Sequence, residues 1–116
     1  MTPLYRWNIF LANLDPTIGS EQGKTRPVIV VSEEEVNRVL NSVTVLPISS
    51  RKSGRILYPN EALITDLSTG LELESIVLCH QIRTLDKRRL VKHIGEVSST
   101  LLQSEILEAV RFHLGI

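Results

Sequence analysis

The segment from Leu14 to Ser32 reads Leu-Asp-Pro-Thr-Ile-Gly-Ser-Glu-Gln-Gly-Lys-Thr-Arg-Pro-Val-Ile-Val-Val-Ser, and it changes character halfway along. Its first half is polar. Asp15-Pro16 predicts a turn, and Gly19 and Gly23 are expected where the backbone adopts angles that other residues resist. Its second half, Val28–Val31, is a run of four β-branched residues. Such a run predicts a β-strand that is buried on both faces.

Arg26 stands where this loop becomes the strand, directly before Pro27. The proline fixes its own φ and favours an extended conformation in the preceding residue, so the backbone at Arg26 is expected to be stiff. A long cation at the mouth of a strand, above a glycine-containing loop, predicts an anion site. The alternative for a single arginine is a surface ion pair.

Two segments resemble the MazF/PemK (Kid-like) toxins of bacterial toxin–antitoxin pairs. The first is Gly19–Pro27 with the apolar strand that follows it, and the second is Gln81–Leu90, Gln-Ile-Arg-Thr-Leu-Asp-Lys-Arg-Arg-Leu. Both stand in the family's order, and the chain length is typical. The resemblance implies a mainly β fold, a small SH3-like, partly open β-barrel with a C-terminal helix of the CcdB/PemK type. It also implies a sequence-selective endoribonuclease that forms a homodimer and is neutralised by a MazE-like antitoxin.

Composition narrows the class of protein. The 116 residues, 42% of them hydrophobic, predict one domain over 1–116 with its own core. The single cysteine, Cys79, cannot form an internal disulfide, which favours a reducing, cytoplasmic setting. We expect neither secretion nor membrane insertion, because the sequence has no charged-then-apolar leader and no long apolar run. The 13 basic and 13 acidic residues tell against coating of nucleic acid by bulk charge, but are compatible with a local basic groove.

Alternation and turn residues predict the other strands. They are expected at Arg6–Asn13, Ser42–Ile48, Glu61–Leu67, Glu74–Cys79 and Val91–Val97, with His80–Leu85 continuing or pairing beside them. Pro47 predicts an edge strand or the exit of its strand, because proline donates no ladder hydrogen bond. The polar residues 49–60 predict a long loop, which is typical of functional or mobile segments.

Capping residues locate the helices. Ser32 and Glu35 fit a capping box that begins a short helix through about Leu40. Asp86 is expected to cap a single turn over residues 87–90, and Ser98 or Ser99 is expected to cap a terminal helix. The apolar stripe of that helix consists of Leu102, Ile106, Ala109, Val110 and His113.

The sequence indicates no metal or cofactor chemistry. Its three histidines are scattered, one cysteine makes no zinc set, and neither a Walker loop nor a dinucleotide fingerprint is present. The endoribonuclease implied by the resemblance is therefore expected to act without a metal or cofactor. In such cleavage the RNA supplies its own nucleophile, the 2′-hydroxyl, and the ends are a 2′,3′-cyclic phosphate and a 5′-hydroxyl. The protein has to move two protons and stabilise the phosphorane.

The resemblance implies three catalytic residues. Arg26 matches the arginine of the family's motif, which implies bidentate contact with the phosphorane and a proton for the leaving group. Ser49 stands where many members carry a threonine that serves the phosphate. One alternative is that the adjacent Ser50 has this role. The other is that Ser49 is a turn-forming serine without a chemical role. His80 stands where Kid-like members carry an aspartate, although their arginine is replaced here by Leu78. His80 is the candidate acid or base, and the alternative is a strand histidine that only hydrogen-bonds to the backbone.

Polar residues near these three are expected to contact single-stranded RNA, whose unstacked bases are readable. Glu21 is expected to orient Arg26 by an ion pair, and Gln81 to brace the site. The basic runs 51–55 and 87–92 belong either to an RNA groove or to a solvated face. The complete set of expected RNA-binding residues is Ser20, Glu21, Gln22, Lys24, Ser50, Arg51, Lys52, Arg55, Gln81 and Arg83.

Two other functions stay open at this point. The gyrase-poisoning toxin CcdB is similar in fold, so a non-catalytic toxin that binds a protein target is one of them. A weakened regulatory paralogue is the other, because Ser49 replaces a threonine and Arg6-Trp7-Asn8 replaces the family's usual Arg-Gly-acidic start.

Overall fold

The computed structural model describes residues 4–116 of the chain. Seven β-strands and two α-helices alternate with three single turns of 3₁₀ helix. The strands are β1 (Asn8–Asn13), β2 (Thr25–Val30), β3 (Ser42–Ser50), β4 (Glu61–Ile64), β5 (Ser75–Leu78), β6 (Arg83–Asp86) and β7 (Leu90–Glu96). The helices are α1 (Glu34–Val39) and α2 (Thr100–Leu114), and the 3₁₀ turns are Leu67–Thr69, Cys79–Gln81 and Lys87–Arg89.

Strand β3 is the centre of the antiparallel sheet. The strand order is β4-β5-β3-β2-β1-β7, and β6 also pairs with β3. The first part of β3, Ser42–Val45, pairs with β6, and its last part, Ile48–Ser50, pairs with β5. Among the described strands, β4 and β7 lie at opposite ends of this order and do not pair, so the sheet stays open. The predicted architecture, mainly β and partly open with a C-terminal helix, is confirmed.

Alternation along the central strands builds two hydrophobic cores, one on each face of the sheet. Ile29 belongs to the larger core and Val28 and Val30 to the smaller one, and all three side chains are fully buried. The prediction that this strand is buried on both faces is therefore confirmed. Each such side chain stabilises the fold by roughly 1.5–3 kcal/mol relative to exposure. Helix α2 covers the larger core with Leu102, Ile106 and Ala109.

Pro47 was predicted to mark an edge strand or the exit of its strand, and that prediction was wrong. Strand β3 continues through Pro47 to residue 50. The Thr44 carbonyl accepts the Val31 N–H on the β2 side, so Pro47, three residues later, directs its backbone to the opposite side. On that side the pairing with β6 ends at Val45 and the pairing with β5 begins at Ile48. The proline occupies the gap between two partner strands, where the ladder needs no N–H from it.

Two predicted caps are confirmed and the capping box is wrong. The side chain of Ser99 accepts a backbone N–H at the start of α2, and that of Asp86 does so over the turn that follows it. The Ser32 hydroxyl instead donates to the side chain of Asn37 and accepts the N–H of Thr44. Ser32 therefore ties α1 to β3. Neither helix in residues 4–116 has the length and apolarity needed to cross a bilayer.

Four predicted features differ from the observed structure. β1 begins at Asn8 rather than Arg6. β4 ends at Ile64, since a 3₁₀ turn follows it. The segment predicted as one strand from His80 turns through a 3₁₀ helix before β6 begins. In α2, His113 is exposed at the end of the stripe, where the helix extends past the core.

Strand β7 is held to the turn before β5 by a close backbone contact. A Cβ on Gly95 would overlap the carbonyl oxygen of Thr69, so only glycine fits. Gly70 faces the carbonyl of Ile94 in the same contact. This seam joins β7 to the far side of the open sheet and forms one end of the groove described below.

Candidate functional site

Arg26 is held at the start of β2 by the loop before it. The base of that loop is closed where the Leu14 N–H donates to the Lys24 carbonyl oxygen at 2.8 Å. Arg26 Nε donates to the Gly23 carbonyl oxygen at 2.9 Å, which orients the plane of the guanidinium. Within residues 4–116, no hydrogen bond or ion pair engages the two Nη atoms of Arg26, and the side chain lines a groove. The guanidinium is therefore available for bidentate contact with an anion.

Gly23 is needed for space rather than for its backbone angle. A Cβ at this position would lie 2.6 Å from Asp15 Oδ1 and 2.8 Å from Thr17 Oγ1, so a side chain would displace the loop. Gly19 has the left-handed backbone predicted for it, with φ +58°, whereas Gly23 does not. The prediction of a special angle at Gly23 was wrong, because the constraint comes from packing across the loop.

Two side chains that follow β5 hold the same loop. Gln81 Oε1 accepts the N–H of Gln22 at 3.1 Å, and Gln81 Nε2 donates to the carbonyl oxygen of Ser20 at 3.2 Å. Arg83 Nη1 donates to the Leu14 carbonyl oxygen at 3.1 Å. The two segments that carried the family resemblance therefore meet in space. Gln81 and Arg83, both expected to bind RNA, use these atoms to fix loop backbone, as expected of a brace at Gln81.

Glu21 does not orient Arg26 by an ion pair, and that prediction was wrong. Its carboxylate accepts the N–H of Ile18 at 2.6 Å within the loop. A backbone donor three residues away is a nearer partner than a side chain on the strand, so the local bond wins.

Arg26 and Ser49 line one groove with a volume of about 670 Å³. Val28 of β2 pairs with Pro47 of β3 in antiparallel register. The paired residues end there, and Arg26 and Ser49 each lie two residues beyond this pair, at ends of neighbouring strands that line the same groove. Further polar residues of the groove are Lys24, Thr25, Ser50, Glu72, Ser75, Lys92 and His93.

The opposite wall of the groove comes from β7, and the sequence analysis missed His93 there. Lys92 was noticed only within a basic run. Leu11 of β1 pairs with both Pro27 of β2 and Lys92 of β7. Lys92 is therefore two strands, or about 10 Å, from the residue after Arg26. The run of basic residues in the sequence indicates positive charge, but it does not show which strands lie side by side.

His80 lies outside that groove, in a neighbouring pocket of about 200 Å³. Ser49 and Ser50 line both cavities, so the end of β3 is the boundary between them. His80 belongs to a 3₁₀ turn rather than a strand, and its exposed ring faces that of His113 edge-on at 6.4 Å between centroids. The other polar residues of the pocket are Gln22 and Arg55.

The basic loop after β3 uses its arginines in ion pairs. Arg51 Nη1 lies 2.9 Å from Glu74 Oε1. Arg55 donates from both Nη atoms to the carboxylate of Glu61, at 2.9 and 2.6 Å, and the Glu61 side chain is only 1% exposed. These bonds from Arg55 lower the pKa of Glu61 against the opposing effect of burial. Lys52 is exposed and has no ion pair within the described residues.

The described residues hold no cluster of metal ligands, and their cysteine is buried. Residues 4–116 contain no group of three or more histidine, cysteine, aspartate or glutamate side chains placed to hold a metal ion. Cys79 is buried, and burial raises the pKa of its thiol to about 12. The thiol is therefore protonated and unreactive at neutral pH.

Comparisons with known proteins give the family and the fold of the chain. A family model described as the PemK-like, MazF-like toxin of type II toxin–antitoxin systems matches residues 5–114. Endoribonuclease MazF9 of Mycobacterium tuberculosis (strain ATCC 25618 / H37Rv) is 33% identical over 116 residues, which is 96% of each chain. The crystal structure of MazF (Form-I) from Deinococcus radiodurans superimposes with a TM-score of 0.81 at 26% identity, over 99% of this chain and all of that one. MazE–MazF (Form-II) from the same organism gives 0.71 at 28%, over 97% and 96%.

The fold is a small β-domain with an open antiparallel sheet and a groove at one end, in which Arg26 has no ion pair within the described residues. The chain belongs to the PemK-like, MazF-like family of type II toxin–antitoxin toxins. The resemblance drawn from two short motifs is confirmed, and the match covers nearly the whole chain.

Proposed function

We propose that this toxin is a sequence-selective endoribonuclease that cleaves single-stranded RNA without a metal ion. The observation that carries the proposal is the state of Arg26. Its Nε is fixed by the Gly23 carbonyl, while its Nη atoms are unpaired within the described residues at the rim of a groove. A curated relative is named an endoribonuclease. The charge and planar donors of an arginine match the non-bridging oxygens of a phosphodiester.

The reaction leaves a 2′,3′-cyclic phosphate and a 5′-hydroxyl. The 2′-oxygen forms a bond to phosphorus and gives its proton to a base. The bond from phosphorus to the 5′-oxygen breaks, and that oxygen takes up a proton. Negative charge builds on the phosphorane oxygens, where Arg26 donates two hydrogen bonds. Because Arg26 is already oriented, it stabilises the transition state more than the bound substrate.

Ser49 and His80 take the remaining roles in this proposal. Ser49 donates its hydroxyl hydrogen bond to the same phosphate from the end of β3. Ser49 and Ser50 border both cavities, so the scissile phosphate is placed over that boundary. The imidazole of His80 then reaches the phosphate from the smaller pocket. A neutral imidazole can take the 2′-hydroxyl proton as the base, and a protonated imidazolium can give a proton to the 5′-oxygen as the acid.

The RNA backbone follows the polar rim on both sides of this boundary. Lys24 and Ser50 lie on the larger groove and Gln22 on the smaller pocket. Lys52 supplies an exposed cation nearby. Contacts of this kind position the strand, while base contacts select the sequence. The flanking residues assigned to RNA are Ser20, Glu21, Arg51 and Arg55, with the two arginines remaining in their ion pairs with Glu74 and Glu61.

We further propose that the toxin is cytoplasmic, acts as a homodimer and is neutralised by a MazE-like antitoxin. One similar structure is described as MazE–MazF. An acidic antitoxin segment that orders on binding would cover the Arg26 groove and exclude RNA. Light scattering at micromolar protein should give a dimer mass. An antitoxin that binds without weakening RNA binding would contradict the placement.

The test of the activity is cleavage of a long RNA in excess EDTA, with both new ends mapped. We expect cuts at a short recurring motif, a cyclic phosphate on one side and a hydroxyl on the other. RNA carrying a 2′-deoxy sugar at the mapped site should resist cleavage, since its nucleophile is missing. A requirement for added magnesium or manganese would overturn the mechanism, and the absence of any cleavage would overturn the proposed function.

A further inference from the structure

We infer that Gln81 is the positioning residue that couples the Arg26 loop to the His80 turn, and that it sets the place of the Arg26 guanidinium at the scissile phosphate. The inference rests on the proposed function. Gln81 follows His80 directly in the chain, and its side chain binds the loop that ends at Arg26. One side chain thus connects the two halves of the site.

The two Gln81 bonds engage backbone groups on either side of one loop residue. Its amide accepts from the Gln22 N–H and donates to the Ser20 carbonyl, which flank Glu21. One side chain therefore fixes the backbone of the loop at two points. Only an amide has both the donor and the acceptor for this pairing, so glutamate keeps one bond and methionine keeps neither.

The effect of Gln81 reaches Arg26 through a short covalent path. Gln22 precedes Gly23, whose carbonyl oxygen accepts the Arg26 Nε–H at 2.9 Å. A Cβ on Gly23 would overlap Asp15 and Thr17, so the backbone of this limb lies close to the rest of the loop and its position depends on how the loop is held. Loss of the Gln81 bonds releases the peptide on which the guanidinium rests. A displacement of about 1 Å in a catalytic group costs up to about a hundredfold in rate.

A positioning role differs from RNA binding in what it changes. If Gln81 only aims Arg26, its loss lowers the rate of the chemical step at saturating RNA and leaves RNA affinity nearly unchanged. If Gln81 contacts RNA directly, affinity falls instead. The Arg26 Nε–H supplies a readout without substrate, because its hydrogen bond to Gly23 depends on the loop.

The experiment compares wild type with Gln81→Met, which keeps the side-chain length, and with Gln81→Glu. The matched control is Gln103→Met, because Gln103 Nε2 also donates to a backbone carbonyl, that of Val97 at 2.8 Å, away from the loop. Three quantities are measured: the single-turnover rate on a mapped RNA in EDTA, the Kd of the same RNA with a 2′-deoxy sugar at the cut, and the ¹H–¹⁵N signal of Arg26 Nε.

We expect Gln81→Met to lower the rate at least about tenfold, with Kd within threefold of wild type, and to shift the Arg26 signal and speed its hydrogen exchange. Gln81→Glu should fall between, and Gln103→Met should match wild type. A wild-type rate in Gln81→Met overturns the inference. So does a tenfold weaker Kd at an unchanged saturating rate, or a slow variant whose Arg26 signal is unchanged.

Thermal melts show whether each variant is folded. If Gln81→Met is not, Gln81→Glu carries the comparison, because it keeps one of the two bonds. If wild type cuts no RNA, the proposed function fails, and if Arg26→Ala cuts as fast as wild type, the catalytic role of Arg26 fails. The Arg26 Nε signal then still decides whether Gln81 positions the loop, so the two failures are distinguishable.

Discussion

Two loops flank the candidate site, and they treat their cations in opposite ways. The Arg26 loop, residues 14–25, is held by hydrogen bonds from Gln81, Arg83 and Arg89 and by bonds within itself. It leaves the Nη atoms of Arg26 unpaired within the described residues. The second loop, residues 51–60, carries three cations, but its two arginines are paired with carboxylates. The loop with more cations therefore has most of its positive charge engaged by carboxylates.

The difference shows that a count of charges does not predict an anion site. An arginine paired with a buried carboxylate stabilises its loop, whereas an oriented arginine without a carboxylate retains its full charge for a ligand. We therefore expect replacement of Arg26 to affect chemistry and replacement of the paired Arg55 of the second loop to affect folding.

Replacement of Arg26 should give the largest effect. Arg26→Ala is expected to lower the single-turnover rate about 10²–10³-fold, the usual cost of one preorganised oxyanion donor. Arg26→Lys should recover little, since an ammonium makes no planar bidentate contact. Cleavage of one labelled RNA by the three proteins checks this. RNA affinity and the melting temperature should change little, because the residue fills no core and other cations hold the backbone. If Arg26→Ala cleaves RNA within threefold of the wild-type rate, Arg26 is not the catalytic group and the contrast between the two loops is lost.

Replacement of Arg55 should act on stability. Arg55→Met leaves the carboxylate of Glu61 buried without its bidentate partner, so Tm is expected to fall by about 5–10 °C. Arg51→Met is the matched control. Its partner, Glu74, is 46% exposed, and exposed pairs contribute little, so Tm should fall by less than about 2 °C. Equal melting curves for the two variants, by calorimetry, would remove the distinction between the pairs.

The same pair predicts a pH dependence. Arg55 lowers the folded-state pKa of Glu61 below its usual value of about 4.3. Its stabilisation is therefore complete above that value and is lost as pH falls through the folded pKa. The Tm difference between wild type and Glu61→Gln should be constant from about pH 6 to 8 and shrink below about pH 4.5. A difference that stays constant down to about pH 3 would contradict the assignment.

Replacement of Lys52, the unpaired cation of the second loop, should give the smallest effect. Lys52→Ala is expected to weaken RNA binding about two- to threefold and to lower the slope of log K against log salt by about one. The rate at saturating RNA should not change. A salt titration with uncleavable RNA measures the slope. A rate loss at saturating RNA would place Lys52 at the reacting phosphate and erase the contrast with Arg26.

Much of the fold follows from local patterns. The β-branched run after Pro27 forms a strand buried on both faces, and Ser99 and Asp86 cap the turns that they precede. Where a residue's partner lies far along the chain, local patterns fail. Pro47 fits mid-strand because two other strands change places beside it, and Ser32 bonds to β3 instead of capping α1.

The same distinction between local patterns and long-range contacts applies to the candidate site. Residue type and motif suffice to select Arg26, because a charged residue between a glycine loop and a proline-led strand is a local feature. Its surroundings depend on the folded chain: Glu21 bonds within its loop, Gln81 braces the loop across 59 and 61 residues, and Arg55 is taken by Glu61. Hydrogen bonds and ion pairs are short-range and directional, so partners are selected by proximity after packing. Proximity between distant segments arises only when the strands have paired.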